Sequence, residues 1–476
     1  MNTYSDFFYM IPEAILVAVL VILFIADFVS AKSNCRKWFN PLACVLMLPV
    51  IIAPLLLTDE IHVFGDMYRN TYGVGIVKAI LAAGTLIVFI QSKVWAEKSD
   101  KEGEFYMLIV STLLGMFVML SSGHFLIFFL GLEMASVPMA TVVAFDKYRK
   151  ESAEAAAKYI LTATFSSGVM LYGISFIYGL CGTMYFNDIA ASLSSPFQPI
   201  LILGFVFFFS GLGFKLSLVP FHFWTADTYQ GAPTTVTGYL SVISKGAAAY
   251  TLLIILFHVF GSMREQWQWL MYIVIVLSIT IANLFAIRQS ELKRFMAFSS
   301  ISQAGYIMLA AVGTDWNLSA TSLLYYVLIY IVANMAVFTI IAVVEQNNGG
   351  RTNIDDYDGL YQTNPKLAFL LTLALFSLAG IPPFAGMFSK FFVFMAAAKA
   401  GTSWAYAVVF IALINTVVSL YYYLLVVKAM YIKKSDSPLP AFKSDCNTKV
   451  ALAICTIGIA LFGICSYFYE WISASV

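Results

Sequence analysis

The sequence predicts an all-α polytopic membrane protein of 14 transmembrane helices, with two inverted five-helix repeats and discontinuous helices seven and twelve. Three observations lead there. Of 476 residues, 61% are hydrophobic and 11% charged, more apolar surface than a soluble chain hides. The apolar residues fall into runs of about 20, long enough to cross a ~30 Å hydrocarbon core. Two runs are interrupted, at Ser217–Pro220 and at Gly380–Gly386, and each break has a lysine beside it, Lys215 and Lys390.

The spans are expected near 11–29, 38–57, 74–92, 106–121, 124–143, 155–179, 200–222, 235–258, 268–286, 295–313, 320–344, 366–398, 404–428 and 449–470. The first follows Pro12-Glu13 without a basic flank or a small-residue cleavage site, so it reads as a span and not as a signal peptide. No loop is long enough to fold alone. Proline removes a backbone donor and glycine loosens the chain, so spans seven and twelve become pairs of half-helices. Such backbone survives at membrane depth only against protein or a wet cavity, and paired broken spans mark inverted-repeat transporters. The breaks lie five spans apart. This gives N-terminal helices one to three (1–104), a first unit of helices four to eight (105–260), a second unit of helices nine to thirteen (261–430), and a loop with helix fourteen (431–476). Five is odd, so the second unit enters the membrane from the other side. Sequence similarity between the units is weak; the matching breaks and lysines carry the assignment.

Basic residues set the orientation. On one side lie Lys32, Arg36, Lys37, Lys93, Lys98, Lys101, Lys147, Arg149, Lys150, Arg288, Lys293, Arg294, Arg351, Lys366, Lys428, Lys433, Lys434, Lys443 and Lys449. The other side has Arg69, Arg264 and Lys399, so both termini are placed outside. A net charge of +1 gives no electrostatic reason to expect nucleic acid.

Five lysines remain. Lys78 and Lys158 lie within about a turn of span ends and are read as snorkelling to the headgroups; Glu154, four residues before Lys158, is a plausible ion-pair partner. Lys215, Lys245 and Lys390 resist that reading. A lysine at mid-depth costs roughly 2.5–3.5 kcal/mol on insertion scales, so each needs a partner or a task. Glu133, about ten residues into span five, is the one deep carboxylate expected. It reads either as a neutral acid packed among helices or as the ion-pair partner of Lys215. At ~5 Å and an effective dielectric of about 20 such a pair is worth roughly 3 kcal/mol, comparable with the ~2.3 kcal/mol for moving a charge through 100 mV. His222, with Asp227 near it, and His258 are candidates for an accessory relay, as is Lys158; each has the alternative of an interfacial residue. His62 and His124 read as loop and boundary residues. The six cysteines (Cys35, Cys44, Cys181, Cys446, Cys455, Cys465) have no C-x-x-C pair and read as buried thiols. No haem ligands, metal cluster, dinucleotide fingerprint or Walker A motif is present, so the chain alone is expected to hold no cofactor and to catalyse no redox step.

The stretches SGLGFKLSLVPFHFWTADTYQGAPT, ELKRFMAFSSISQAGY and LAGIPPFAGMFSKFFVF carry a resemblance. The chain resembles the antiporter-like subunits of the proton-translocating NADH–quinone oxidoreductase, respiratory complex I, over essentially its whole length. The opening MIPEAIL and the lysine on span twelve suit one branch of that family, and the long lateral helix of its largest member has no counterpart after Trp471. The resemblance implies a glutamate on helix five, lysines on helices seven and eight, and a lysine or glutamate on helix twelve as the proton-transfer residues: here Glu133, Lys215, Lys245 and Lys390. It implies loading at Lys215 under the influence of Glu133, connection through Lys245 and exit at Lys390. It further implies a bacterial inner membrane, partners among the other membrane-arm subunits, and flavin, iron–sulfur clusters and quinone in partner subunits only. Two alternatives stay open: a subunit of a multisubunit Na+/H+ antiporter, and a structural membrane subunit whose buried charges set helix register.

Overall fold

The computed structural model describes residues 5–30, 36–99, 101–193, 199–434, 439–465 and 467–476; Lys32 and Cys35 lie outside them. A 3-10 turn leads into α1 (Ile11–Ser30), where Pro12 occupies a first-turn position whose N–H has no helical partner in any case. α2 (Phe39–Leu56) keeps two internal prolines. A hairpin that the sequence reading did not foresee follows, β1 (Ile61–Val63) paired antiparallel with β2 (Tyr68–Asn70). Then come α3 (Tyr72–Glu97), α4 (Glu102–Leu120), α5 (Phe125–Val143), α6 (Lys150–Cys181), α7 (Phe186–Ser192) and α8 (Pro199–Leu216). Side-chain oxygen or nitrogen caps begin α3 at Thr71 and α5 at His124, and Gly182, at φ 68°, ends α6.

The break expected after Lys215 is present. α8 stops at Leu216, and the chain resumes as α9 (Phe223–Gly231) and α10 (Thr234–Tyr239). A π-helical segment at Leu240–Ser244 leads into α11 (Lys245–Ile254), and a second at Ile255–Val259 ends that span. The rest is α12 (Arg264–Ile287), α13 (Leu292–Val312), α14 (Trp316–Asn347), the single turn α15 (Leu360–Thr363), α16 (Pro365–Ala379), α17 (Ala385–Ala398), α18 (Ser403–Tyr431), α19 (Cys446–Ile464) and α20 (Tyr467–Ser475). The second expected break is thus the gap between α16 and α17. The last span ends earlier than expected, at Ile464, with α20 as a separate helix. Among the described residues 13 helices are long and apolar enough to cross a membrane, and α16 and α17 are shorter apolar helices.

Two compact units account for the packing: one is Met1–Leu216 with Ile243–Leu270 and Ser475–Val476, the other Ser217–Val242 with Met271–Ala474. In the first, α4 and α5 pack most closely, because Gly115 and Gly131 let the backbones touch. A Cβ on Gly115 would lie 2.4 Å from the Ala135 amide nitrogen, and one on Gly131 2.5 Å from that of Met119. In the second, α13 and α14 form the core: their most apolar windows are 100% and 94% buried, against 33% for α18 and α19. An apolar helix left that open faces lipid or another chain.

Gly386 sets the second break. A Cβ there would come 1.7 Å from the Ser377 carbonyl oxygen, so α17 starts in contact with the last turn of α16. Gly386→Ala is expected to force the two half-helices apart and to destabilise the unit by about 1–3 kcal/mol, as overpacking does. Thermal unfolding of the purified assembly is the measurement, and an unchanged midpoint would show that the gap gives way without strain.

Candidate functional site

In the first unit the site is built on α5, α6 and α8. Lys215 is the penultimate residue of α8, 4% exposed, where the negative end of the helix dipole favours a cation. Its Nζ donates to Ser136 Oγ at 2.8 Å and, more weakly, to Tyr159 OH at 3.4 Å. The expected Glu133–Lys215 ion pair is not formed. Ser136, one turn and ~4.5 Å of rise along α5 from Glu133, takes the ammonium instead, and Glu133 is half-buried. Beside the lysine is a cavity of about 10 Å³ lined by Ser136, Ser166, Ser167 and Lys215 among others, the size of a single water.

Lys245 is 1% exposed and follows directly on the π-helical segment Leu240–Ser244. Such segments recur where a helix is locally reshaped for function. Nothing in the residue pattern around it foretold this segment.

The second unit holds Lys390, 4% exposed, in the second turn of α17. Its Nζ reaches back over the gap and donates to the carbonyl of Ala379, the last residue of α16, at 2.9 Å, and lies 4.8 Å from the centre of the Tyr306 ring. The C-terminal carbonyls of α16 therefore favour the charge that the N-terminal end of α17 disfavours. A second cavity of about 10 Å³ adjoins it, lined by Gln303, Tyr326, Tyr330, Ser377 and Ser389 among others.

That cavity opens on a polar chain missed from sequence. Gln303 donates to Leu378 O at 3.1 Å and to Tyr423 OH at 3.3 Å, and accepts from Tyr326 OH. Tyr423 OH and Ser299 Oγ are 2.5 Å apart, and on the next residue Ser300 Oγ is 3.2 Å from Tyr229 OH. The signal lay in α13. It is the least apolar of the long helices among the described residues, and yet it is wholly enclosed. Buried hydroxyls and amides at that density need each other as partners.

The accessory candidates separate. His222 precedes α9, buried, with Nδ1 unpartnered and its ring against Phe223, and it makes no hydrogen bond to Asp227. Asp227 instead pairs with Arg294 at 2.6 Å, because α9 packs on α13 and brings the two partly exposed side chains together. Lys158 is exposed and pairs with Glu154 at 2.6 Å, as the i,i+4 spacing suggested. His258 is exposed, in the second π segment. Among the described cysteines only Cys455 is buried, inside α19; Cys446, the first residue of that helix, is exposed and the others are intermediate, which corrects the expectation of buried thiols. No group of His, Cys, Asp and Glu able to hold a metal occurs among the described residues.

Lys78 overturns the snorkelling reading. It is fully buried, and Nζ donates to Glu13 Oε1 at 2.6 Å, to Asn70 Oδ1 at 2.9 Å and to Tyr68 OH at 3.3 Å. The unforeseen hairpin and the first turn of α1 cover the end of α3 that would otherwise meet the headgroups. Glu13 is therefore a second deep carboxylate, and Glu133 is not the only one. Lys293, read as a loop residue, is also buried and donates to Ala232 O at 2.7 Å.

Residues 122–416 match the family model described as NADH:quinone oxidoreductase/Mrp antiporter, TM. The chain is 56% identical to the NADH-quinone oxidoreductase subunit N of Phocaeicola vulgatus, over 98% of each chain. It is similar to a chain of the respiratory complex I of Thermus thermophilus solved with bound aureothin, with a TM-score of 0.79 and 28% identity over 95% of this chain and 97% of that one. A chain of the Mrp complex from Dietzia shares the fold, with a TM-score of 0.83 at 18% identity over 98% of this chain and 96% of that one. With two deep lysines at broken helices and a relative matched from end to end, this chain belongs to the antiporter-like membrane subunits of NADH–quinone oxidoreductase, respiratory complex I, on the subunit N branch of that family.

Proposed function

We propose that this chain moves protons across a bacterial inner membrane through Lys215, Lys245 and Lys390, with Glu133 setting the charge around Lys215. The observation that supports it most is how the two broken-helix lysines are held. Lys215 meets hydroxyls and Lys390 a carbonyl, with no carboxylate on either, and each has a cavity of about 10 Å³ beside it. A hydroxyl accepts from an ammonium and donates to a neutral amine, so Ser136 and Tyr159 suit both states of Lys215. A lysine locked in an ion pair would have no comparable freedom to release its proton. Residues 105–260 and 261–430 are the proposed inverted repeats, each supplying one discontinuous helix, and both termini are placed on the periplasmic side by the basic loops.

On this reading the chain is part of a translocase and performs no electron transfer itself. Flavin, iron–sulfur clusters and quinone belong to partner subunits, and the neighbours are other membrane-arm subunits, antiporter-like ones among them. The Gln303–Tyr423–Ser299 chain is the proposed hydrated route to Lys390, and His222, Asp227, His258 and Lys158 are at most accessory. A sodium–proton antiporter subunit has the same fold; co-purification with quinone-reducing subunits separates the two readings.

Lys390 gives the direct test. Lys390→Met keeps the length and removes titration, so NADH-driven proton uptake by inverted vesicles is expected to fall at least about tenfold, a proton-transferring group usually contributing roughly a hundredfold or more. Lys390→Glu keeps a titratable group beside the same cavity and is expected to retain measurable pumping. Wild-type uptake in the methionine variant would refute an exit through Lys390.

A further inference from the structure

We infer that the groove where α16 and α19 begin binds one anionic glycerophospholipid, phosphate at its mouth and acyl chain along its floor. The groove has a volume of about 740 Å³, within the range of built ligand sites. Its lining combines Leu367 and Leu370 of α16 and Leu452 of α19 with the exposed Lys366, Lys443 and Lys449. Among the described residues no aspartate or glutamate lines it.

The charge is specific to this place. Lys433, on the same stretch of surface chain, is engaged by Asp355 at 3.1 Å and Asp358 at 3.6 Å. Lys366, Lys443 and Lys449 are exposed and form no ion pair among the described residues. The nearest acid in sequence, Asp445, is occupied as the cap of α19: it accepts from the Thr448 amide at 3.0 Å and from the Thr448 hydroxyl. The wall is also built. Asn364 donates to Pro440 O at 3.2 Å and accepts from the Phe442 amide at 3.2 Å, which fixes the loop carrying Lys443 to the start of α16.

Three lysines without an ion pair among the described residues, beside an apolar lining at the membrane boundary of two spans, match one ligand chemistry. A soluble anion has no use for the floor, and a zwitterionic lipid has none for three cations. Each lysine near an anionic lipid surface contributes attraction of about 1 kcal/mol. The site does not depend on the proton route proposed above.

The test uses the whole complex in nanodiscs of phosphatidylcholine doped with phosphatidylglycerol carrying a photoactivatable acyl chain. Labelling is expected on peptides containing Leu367–Leu370 and Leu452–Ile457. The triple variant Lys366→Gln, Lys443→Gln, Lys449→Gln should lower it at least about tenfold. The matching triple arginine variant should keep it, which excludes misfolding as the cause. Equal labelling by photoactivatable phosphatidylcholine, undiminished labelling in the glutamine variant, competition by millimolar inorganic phosphate, or a partner subunit cross-linked into the groove in place of lipid would each overturn the proposal.

Discussion

Lys215→Met is expected to leave the complex assembled while proton pumping falls by about two orders of magnitude, the scale set by removing one proton-transferring group. The ammonium is 4% exposed and is held by Ser136 and Tyr159, neutral groups that remain satisfied when it goes: Ser136 Oγ also donates to Leu132 O at 2.7 Å. No buried countercharge is stranded, so the fold should tolerate the change. Lys215→Arg is expected to pump as poorly, because a guanidinium stays protonated. Glu133→Gln separates the carboxylate's charge from its shape. Since Glu133 forms no ion pair with Lys215, its loss should lower pumping less than Lys215→Met does, by around tenfold for ~1.4 kcal/mol of lost interaction. The measurement is NADH-driven proton uptake alongside quinone reduction, normalised to assembled complex. Normal pumping in Lys215→Met would mean that protons do not pass this lysine.

The membrane architecture was legible because hydrophobic length and helix breakers are local. The run ending at Leu216 and the gap at Gly380 needed no knowledge of neighbours, and the deep lysines announced themselves by cost. Who meets whom was not legible. Glu133 and Ser136 are one turn apart on α5, and which of them faces Lys215 depends on how α5 is rotated against α8. Charge complementarity favours Glu133, whereas packing brings the Ser136 hydroxyl to the ammonium. The π-helical segment before Lys245 has no composition of its own: LSVIS would suit an ordinary helix equally well. The hairpin escaped because its strands are three residues each, below the length at which alternation can be recognised. Missing the hairpin meant missing what covers Lys78.

The cover over Lys78 carries the largest expected effect on stability. Lys78 directs its three donors to Glu13 on α1 and to Asn70 and Tyr68 on β2, while Tyr68 OH donates to the other Glu13 oxygen at 3.0 Å. One buried network thus joins α1, the hairpin and α3. Taking both ions out of water is costly, and the pair roughly repays that cost; taking away one alone leaves the other buried and uncompensated. Lys78→Met is therefore expected to destabilise the first unit by about 3–5 kcal/mol, and Glu13→Leu similarly. The double variant should recover much of the loss, since two apolar groups replace two charges and only Asn70 and Tyr68 need new partners. Thermal denaturation of the four complexes gives the double-mutant cycle, and additive losses would mean that the pair is not coupled. The contrast with Lys215 lies in what is lost. A lysine that holds structure should reduce the yield and midpoint of the complex and spare pumping per assembled molecule; one that carries protons should do the reverse. If Lys78→Met assembles normally and pumps poorly, the Glu13–Lys78 pair belongs to the transport chemistry, and the first unit moves charge at two places.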